Sequence, residues 1–314
     1  MIRTIRRFRL SGLLLLWAAS LVLFALFAPS FFTLGNFTSV LQFSTLLALV
    51  TLGQTVVILA GGGGIDLSVG GIVSLSGLLV AYLIKQNVPF AWSGAAGVLF
   101  GAFLGAINGW IVTRIKLLPL IVTLGTFYAY NGIALAITGG APITGLPNSF
   151  AVLGQTSLGA IPLHTLVFVL PVFGGLWLTL EQTPLGRWIY AIGSNETASR
   201  LVGLPVDGVR LAAYIASGSF AALAGLVADS WLLSARPNIG QNLELLSLTA
   251  ALLGGVNIFG GAGGVAGPFL AVFFFTSLQI GLEMMNVNTI WQLGIVGSLL
   301  IASVYFSYRT ADSL

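Results

Sequence analysis

Charge is what this chain has least of. Its 314 residues carry 12 basic and 8 acidic side chains, 6% of the total, against roughly a quarter in an ordinary soluble domain. With 57% apolar residues and a mean hydropathy of +1.03, a soluble globule would leave large apolar patches wet. A disordered chain is excluded by the same numbers, because it needs low hydrophobicity and high charge. Cysteine is absent, so disulfides, thiolate metal sites and cysteine nucleophiles are ruled out and the redox compartment cannot be read. The single histidine, His164, leaves no HExxH pair and no plausible Ser-His-Asp set. No Gly-Lys-Ser/Thr occurs, so the chain has no P-loop with which to bind ATP. The net charge of +4 comes with no clustered basic groove, which argues against nucleic acid as a partner. No metal and no cofactor bound by this chain are expected.

What is present is apolar length. Runs long enough to cross a ~30 Å hydrocarbon core recur at 11–29, 39–60, 70–84, 91–113, 119–138, 165–180, 211–231, 246–260, 268–284 and 289–306. They predict an all-α polytopic membrane protein, one transmembrane domain over 1–314, with about ten transmembrane helices. Ten crossings put both termini on one side, together with Arg3, Arg6, Arg7, Arg9, Arg114, Lys116, Arg187, Arg200, Arg210 and Arg309; the other side keeps only Lys85 and Arg236. That asymmetry makes the termini cytoplasmic. The basic-then-apolar start looks like a signal peptide, but integral neighbours follow at once, so it reads as an uncleaved first span.

Two hydrophilic segments stand out. Residues 139–164 fall outside and carry no formal charge, whereas 181–210 fall inside and hold six charged residues. The inner segment encodes a short helix: Asn195 as N-cap, Glu196 in the first turn, Arg200 at the end, Gly203 for a left-handed stop, and Pro205 against continuation. Asp207 can cap the next span. The helix is either a capped connector or a docking element.

Glycine, 41 residues, has two uses. Gly97, Gly101, Gly105 and Gly109 recur every four residues on one helix face, a groove that lets another backbone approach, within the chain or across a dimer. Others cluster as GGGGIDLSVGG (61–71) and GGVNIFGGAGGVAG (254–267), where helix must break. GAGGVA at 261–266 superficially fits a dinucleotide fingerprint but has no βαβ context. Asp66 follows the first cluster and serves either a function in the membrane or the N-terminus of the third span. Neutral polar groups remain to meet an uncharged solute: Gln54, Asn108, Thr126, Tyr130, Asn131 and Asn257 among them. The carboxylates Asp66, Asp229, Glu244 and Glu283 all fall near predicted span ends, which argues against proton or sodium coupling.

Three blocks resemble the permease subunits of bacterial ABC sugar importers of the ribose, xylose and autoinducer-2 group: GGIDLSVG at 63–70, TPLGRWIYAIGSNETASRLVGL at 183–204, and LTAALLGGVNIFGGAGGVAGP at 248–268. The resemblance implies a transport subunit of the bacterial inner membrane without its own ATPase. Its partners would be a second permease, identical or homologous, cytoplasmic ABC ATPases that bind ATP and Mg, and an extracytoplasmic sugar-binding protein met by 139–164 and 232–245. It makes Gly193, Ser194, Asn195, Glu196, Ala198, Arg200 and Gly203 the ATPase-coupling helix, with Ser194 where the family block has a second glycine. It also favours a pathway or gate role for Asp66 and Ser68. The solute would be a pentose, hexose or autoinducer-2-like sugar, or else a nucleoside or branched-chain amino acid. An ion-coupled transporter or facilitator is the rival reading.

Overall fold

A computed structural model describes the backbone of residues 2–311 and the side chains of residues 12–305. The side chains of Arg3, Arg6, Arg7, Arg9 and Arg309, part of the charge asymmetry, lie outside the described residues. Every expected apolar interval overlaps a helix. In chain order the helices are α1 (Ile2–Phe27), α2 (Leu34–Leu59), α3 (Val69–Lys85), α4 (Phe90–Trp110), α5 (Pro119–Thr138), the short α6 (Ala151–Gln155), α7 (Leu170–Gln182), α8 (Pro184–Ser194), α9 (Glu196–Leu201), α10 (Val206–Leu232), α11 (Leu243–Leu253), α12 (Ala266–Met284) and α13 (Thr289–Ala311). A π-helical turn, Ile111–Ile115, extends α4, and another, Thr165–Val169, precedes α7. The segment 139–164 adds a two-residue antiparallel hairpin, Ser157–Leu158 with Ile161–Pro162.

Among the described residues, six helices are long and apolar enough to cross a membrane, and four further apolar helices are shorter, α3 and α11 among them. The fold is that of a polytopic, helical membrane protein. α2 is its axis. Every residue from Leu47 to Leu59 is buried, which is how a helix that is apolar all round behaves at the centre of a bundle. α5 is the opposite case, burying only Pro119, Val122, Thr123, Tyr130 and Ala134.

The glycine row of α4 faces inward. A Cβ on Gly97 would strike Val80 of α3, and on Gly101, Gly105 and Gly109 it would meet Gly218, Tyr214 and Leu211 of α10. Without side chains on that face, α4 and α10 approach to backbone contact.

The eighth interval departs from expectation. It is helical only over α11, and 254–265 runs as irregular turns with Gly255, Gly260, Gly261 and Gly263 at positive φ. α11 also begins inside the molecule. α3 and α10 pair so that Gly77 faces Asp229 and Gly225 faces the Val73 carbonyl. Gly240 packs on the Gly70 carbonyl, and its N–H donates to Ser74 Oγ at 3.2 Å. Gly70 is seven residues before Gly77, so 233–242 turns back from the end of α10 by about 10–15 Å at 1.5 Å per residue. Of that stretch Arg236 and Asn238 are exposed, while Ser234, Ala235, Pro237 and Gly240 are buried. Glu244, the second residue of α11, is therefore buried with its Oε2 beside Gly70. Its expected place near a span end is corrected by this half-length helix. Asp229 is also fully buried, and neither carboxyl oxygen has a partner.

Candidate functional site

At one end of the bundle, residues 183–204 form a helix–turn–helix. Thr183 accepts from Gly186 N and starts α8, which ends at Ser194. Asn195 then caps α9, its Oδ1 accepting from Ala198 N at 2.9 Å. Gly203 ends that helix at φ +80° and Pro205 precedes α10. α9 ends at Leu201, and Val202 already leaves the helix. Glu196 binds Arg200 one turn on at 3.0 Å and Arg210 of α10 at 2.7 Å, and Arg200 also binds Asp207. The Arg210 hydrogen bond is the first cause that holds the Glu196 carboxyl below its ordinary range; partial burial opposes it and Arg200 reinforces it. These charges thus pair within the chain. Leu201 and Val202, at the tip, are 84% and 76% exposed.

The turn before α9 is wedged into both glycine clusters. A Cβ on Gly193 would collide with the Leu59 carbonyl and the Gly261 amide, and one on Gly61 would lie 2.6 Å from Gly193 Cα. Gly261 N donates to Leu59 O at 3.1 Å, Ser194 Oγ donates to Gly261 O at 3.4 Å, and Tyr190 OH reaches Gly263 O at 3.2 Å. Gly61 itself sits at φ +71°, open to glycine at little cost. Ser194 therefore ties two segments together rather than capping α9.

The first cluster leads into a buried polar knot. Asp66 Oδ1 accepts from Ser68 N at 3.1 Å and Ser68 Oγ at 2.6 Å, and Oδ2 accepts from Ser217 Oγ at 2.8 Å. Asn108 Nδ2 donates to Ser68 Oγ at 2.7 Å, and Gln54 Oε1 accepts from Asp66 N at 3.3 Å. Thr123 donates to the Ile65 carbonyl at 3.0 Å. Asp66, Ser68, Gln54, Asn108 and Ser217 are fully buried. They join α2, α3, α4 and α10. Past the exposed Gly62 and Gly63, the irregular backbone up to Ser68 survives in this interior because these side chains meet its polar groups. Asp66 binds the Ser68 N–H at the start of α3, as its N-terminal reading expects, and is also held across the bundle by Ser217. Saturation is incomplete: Gln54 Nε2, Asn108 Oδ1 and Tyr214 OH are buried without partners.

The remaining candidates lie elsewhere. Tyr130 OH donates to Leu104 O, Asn131 Nδ2 to Phe127 O and Thr126 Oγ1 to Val122 O, so all three spend a donor on helix backbone. Asn257 Oδ1 accepts from Phe259 N in the turns after α11. Ser217 has no local signal, being 151 residues from Asp66; it could be found only once α10 was set beside segment 60–68. At the other end of the bundle, Gly154 N donates to Ser230 Oγ and Ile143 bridges to Ala235, which fastens 139–164 to α10. A cavity of about 600 Å³ opens there between α3, α4 and α5, lined by Leu75, Leu78, Tyr82, Phe100, Ile133 and Ile137. None of the polar candidates lines it.

Comparison with known proteins places this geometry. The sequence model described as "Branched-chain amino acid transport system / permease component" matches residues 36–304. The ribose import permease protein RbsC of Bacillus subtilis is 37% identical over 90% of this chain and 88% of its own. The D-allose transport system permease protein AlsC of Escherichia coli is 35% identical over 93% and 90%. The autoinducer 2 import system permease protein LsrC of Klebsiella pneumoniae is 33% identical over 97% and 88%. No solved structure matches the chain. A multi-pass bundle, a capped helix at one end and relatives aligned along nearly their whole length lead to one conclusion: the chain belongs to the branched-chain amino acid transport system permease component family.

Proposed function

We propose that this chain is the membrane permease subunit of an ATP-driven importer of a monosaccharide, a pentose, hexose or autoinducer-2-like sugar, in the bacterial inner membrane. It crosses the membrane ten times with both termini cytoplasmic, and residues 181–210 form the cytoplasmic coupling segment. Partner ABC ATPases hold the ATP and Mg, and this chain contributes no catalytic group. A second permease, identical or homologous, completes the pathway, and an extracytoplasmic binding protein delivers sugar to 139–164 and the exposed part of 232–245.

The observation that carries this reading is the wedge at Gly193. A short helix with an apolar, unpartnered tip at Leu201 and Val202 is set against the ends of two interior segments. Motion applied at such a tip reaches the interior without passing through a flexible loop. Asp66, Ser68, Asn108 and Gln54 then act as a closed gate, and their unpartnered polar atoms are groups that a sugar hydroxyl could satisfy when the gate opens. Thr126, Tyr130, Asn131 and Asn257 stand as lesser pathway candidates, since they are already bonded to backbone.

Affinity purification from the native membrane tests the reading. Recovery of a P-loop ATPase, lost on alteration of 194–204, together with ATP-dependent uptake of D-ribose or D-allose, is the expected result. Recovery of the chain alone, with uptake that survives ATP depletion and collapses with an uncoupler, would turn the assignment to an ion-coupled carrier.

A further inference from the structure

Arg210 stands near the start of α10 with a side chain only 12% exposed. Its guanidinium makes three contacts at once. Nη2 donates to Glu196 Oε2 of α9 at 2.7 Å, and Nε donates to the Ala60 carbonyl at the end of α2 at 3.4 Å. The group also fills the space over Gly62 that a Cβ would need. With Val57, Gly64, Pro119 and Tyr214 it closes a crevice of about 10 Å³, about the space of one water.

Seven residues on, and on the same face of α10, Ser217 donates to Asp66. One face of α10 therefore holds segment 60–66 at both ends, by a charged contact at its start and a hydroxyl at its finish. The glycine junction differs in kind. Its backbone contacts at Gly193 with Leu59 and Gly61 resist compression, so they transmit a push, and non-bonded contacts of that sort transmit almost no pull. The hydrogen bonds from Ser194 and Tyr190 that resist separation there end on Gly261 and Gly263, not on segment 60–66. A charge-assisted hydrogen bond resists separation, and a planar guanidinium can hold a carboxylate and a carbonyl in two directions together, which an ammonium does less well.

We propose that Arg210 is a latch, a positioning residue that carries the outward pull of α9 to segment 60–66 and so to the buried Asp66 knot. Glu196 is then the near half of the latch, turned toward α10 and not toward the ATPase, and Leu201 and Val202 are left as the surface the ATPase holds. The proposal rests on the importer reading and adds to it the direction of force that each contact bears.

The test uses the permease with its ATPase and binding protein in proteoliposomes, with D-ribose and D-allose as probes. Arg210→Gln is expected to co-purify with the ATPase and to hydrolyse ATP, while sugar moved per ATP falls roughly tenfold, the scale of one lost charged hydrogen bond. Arg210→Lys should fall between. Glu196→Gln, on a more exposed side chain and unlike a wholesale alteration of 194–204, leaves Leu201 and Val202 in place for the ATPase and should repeat the loss. The double variant should be no worse than the poorer single one, because the two groups make one contact.

A second readout needs no sugar. The chain has no cysteine, so Ala213→Cys, 3% exposed beside the crevice, would be its sole thiol. N-ethylmaleimide should label it at least about fivefold faster when Arg210→Gln is also present, because local opening sets access. Unchanged sugar-to-ATP ratios in both single variants, additive losses in the double, or unaltered thiol labelling would overturn the latch. If Arg210→Gln fails to insert, Glu196→Gln and its labelling decide alone. If the parent chain brings down no ATPase, it is the importer reading that fails, and thiol labelling still judges the latch.

Discussion

Gly193 and Gly105 each lie against a carbonyl oxygen, and they do so for different reasons. Gly105 is inside a regular helix. With Gly101 and Gly109 it is one of three residues whose missing side chains let α4 and α10 close along their length. Gly193 is at the last turn of α8, where three segments distant in sequence meet at Leu59, Gly61 and Gly261. The row on α4 makes a static seam. On the proposed importer reading, the junction at Gly193 is a joint between the α8–α9 helix pair and an interior that rearranges during transport. On that reading, the same residue type serves packing in one place and transmission in the other.

The comparison is sharpened by adding one methyl group at a time. Gly193→Ala should have the largest effect. The new Cβ meets backbone on two sides, neither of which can swing away, and overpacking of that kind costs roughly 1–3 kcal/mol or more. ATP-driven uptake should fall at least about tenfold while the protein still reaches the membrane. Wild-type uptake would show that the joint is loose. Gly105→Ala comes next, with its Cβ against the Tyr214 carbonyl. Here the loss should be in stability, about 1–3 kcal/mol, read as earlier thermal unfolding in detergent, while uptake per folded molecule is kept. A coupling defect without destabilisation would erase the distinction between seam and joint.

Gly132→Ala on α5 should matter least. Nothing lies within 4 Å of a Cβ there, and alanine favours helix over glycine by up to ~1 kcal/mol. The melting temperature of the isolated subunit should be unchanged or slightly raised. A marked drop would mean that α5 packs differently from the arrangement described above.

Much of this was legible in the chain itself. Fourfold spacing marks the α4 seam because residues four apart share a helix face, and the Asn195, Gly203 and Pro205 signals bound α9 because capping is local chemistry. What escaped was long-range or depended on depth. Hydropathy reports that 246–260 is apolar, but not that α11 starts in the interior after a returning loop, so Glu244 looked like a span-end residue. Segment 184–194 is an amphipathic helix of 11 residues, too short and too polar on one face to stand out as a membrane-length apolar run. Ser217 and Arg210 carry no motif; each acquires meaning only from segment 60–66, some 150 residues away. The role of Ser194 likewise depends on Gly261, 67 residues on.

The contact between Gly70 and Gly240 carries a consequence for how such a protein can change over time. Each residue presses on the other's carbonyl, so a side chain at either one meets backbone. Two independent variable sites can drift, and a side-chain pair can be exchanged by compensation, large for small and small for large. This pair permits neither route, because no smaller residue exists to make room for a larger partner. Lineages that inherit the returning loop are therefore expected to keep both glycines or to lose the loop entirely, with no viable intermediate between.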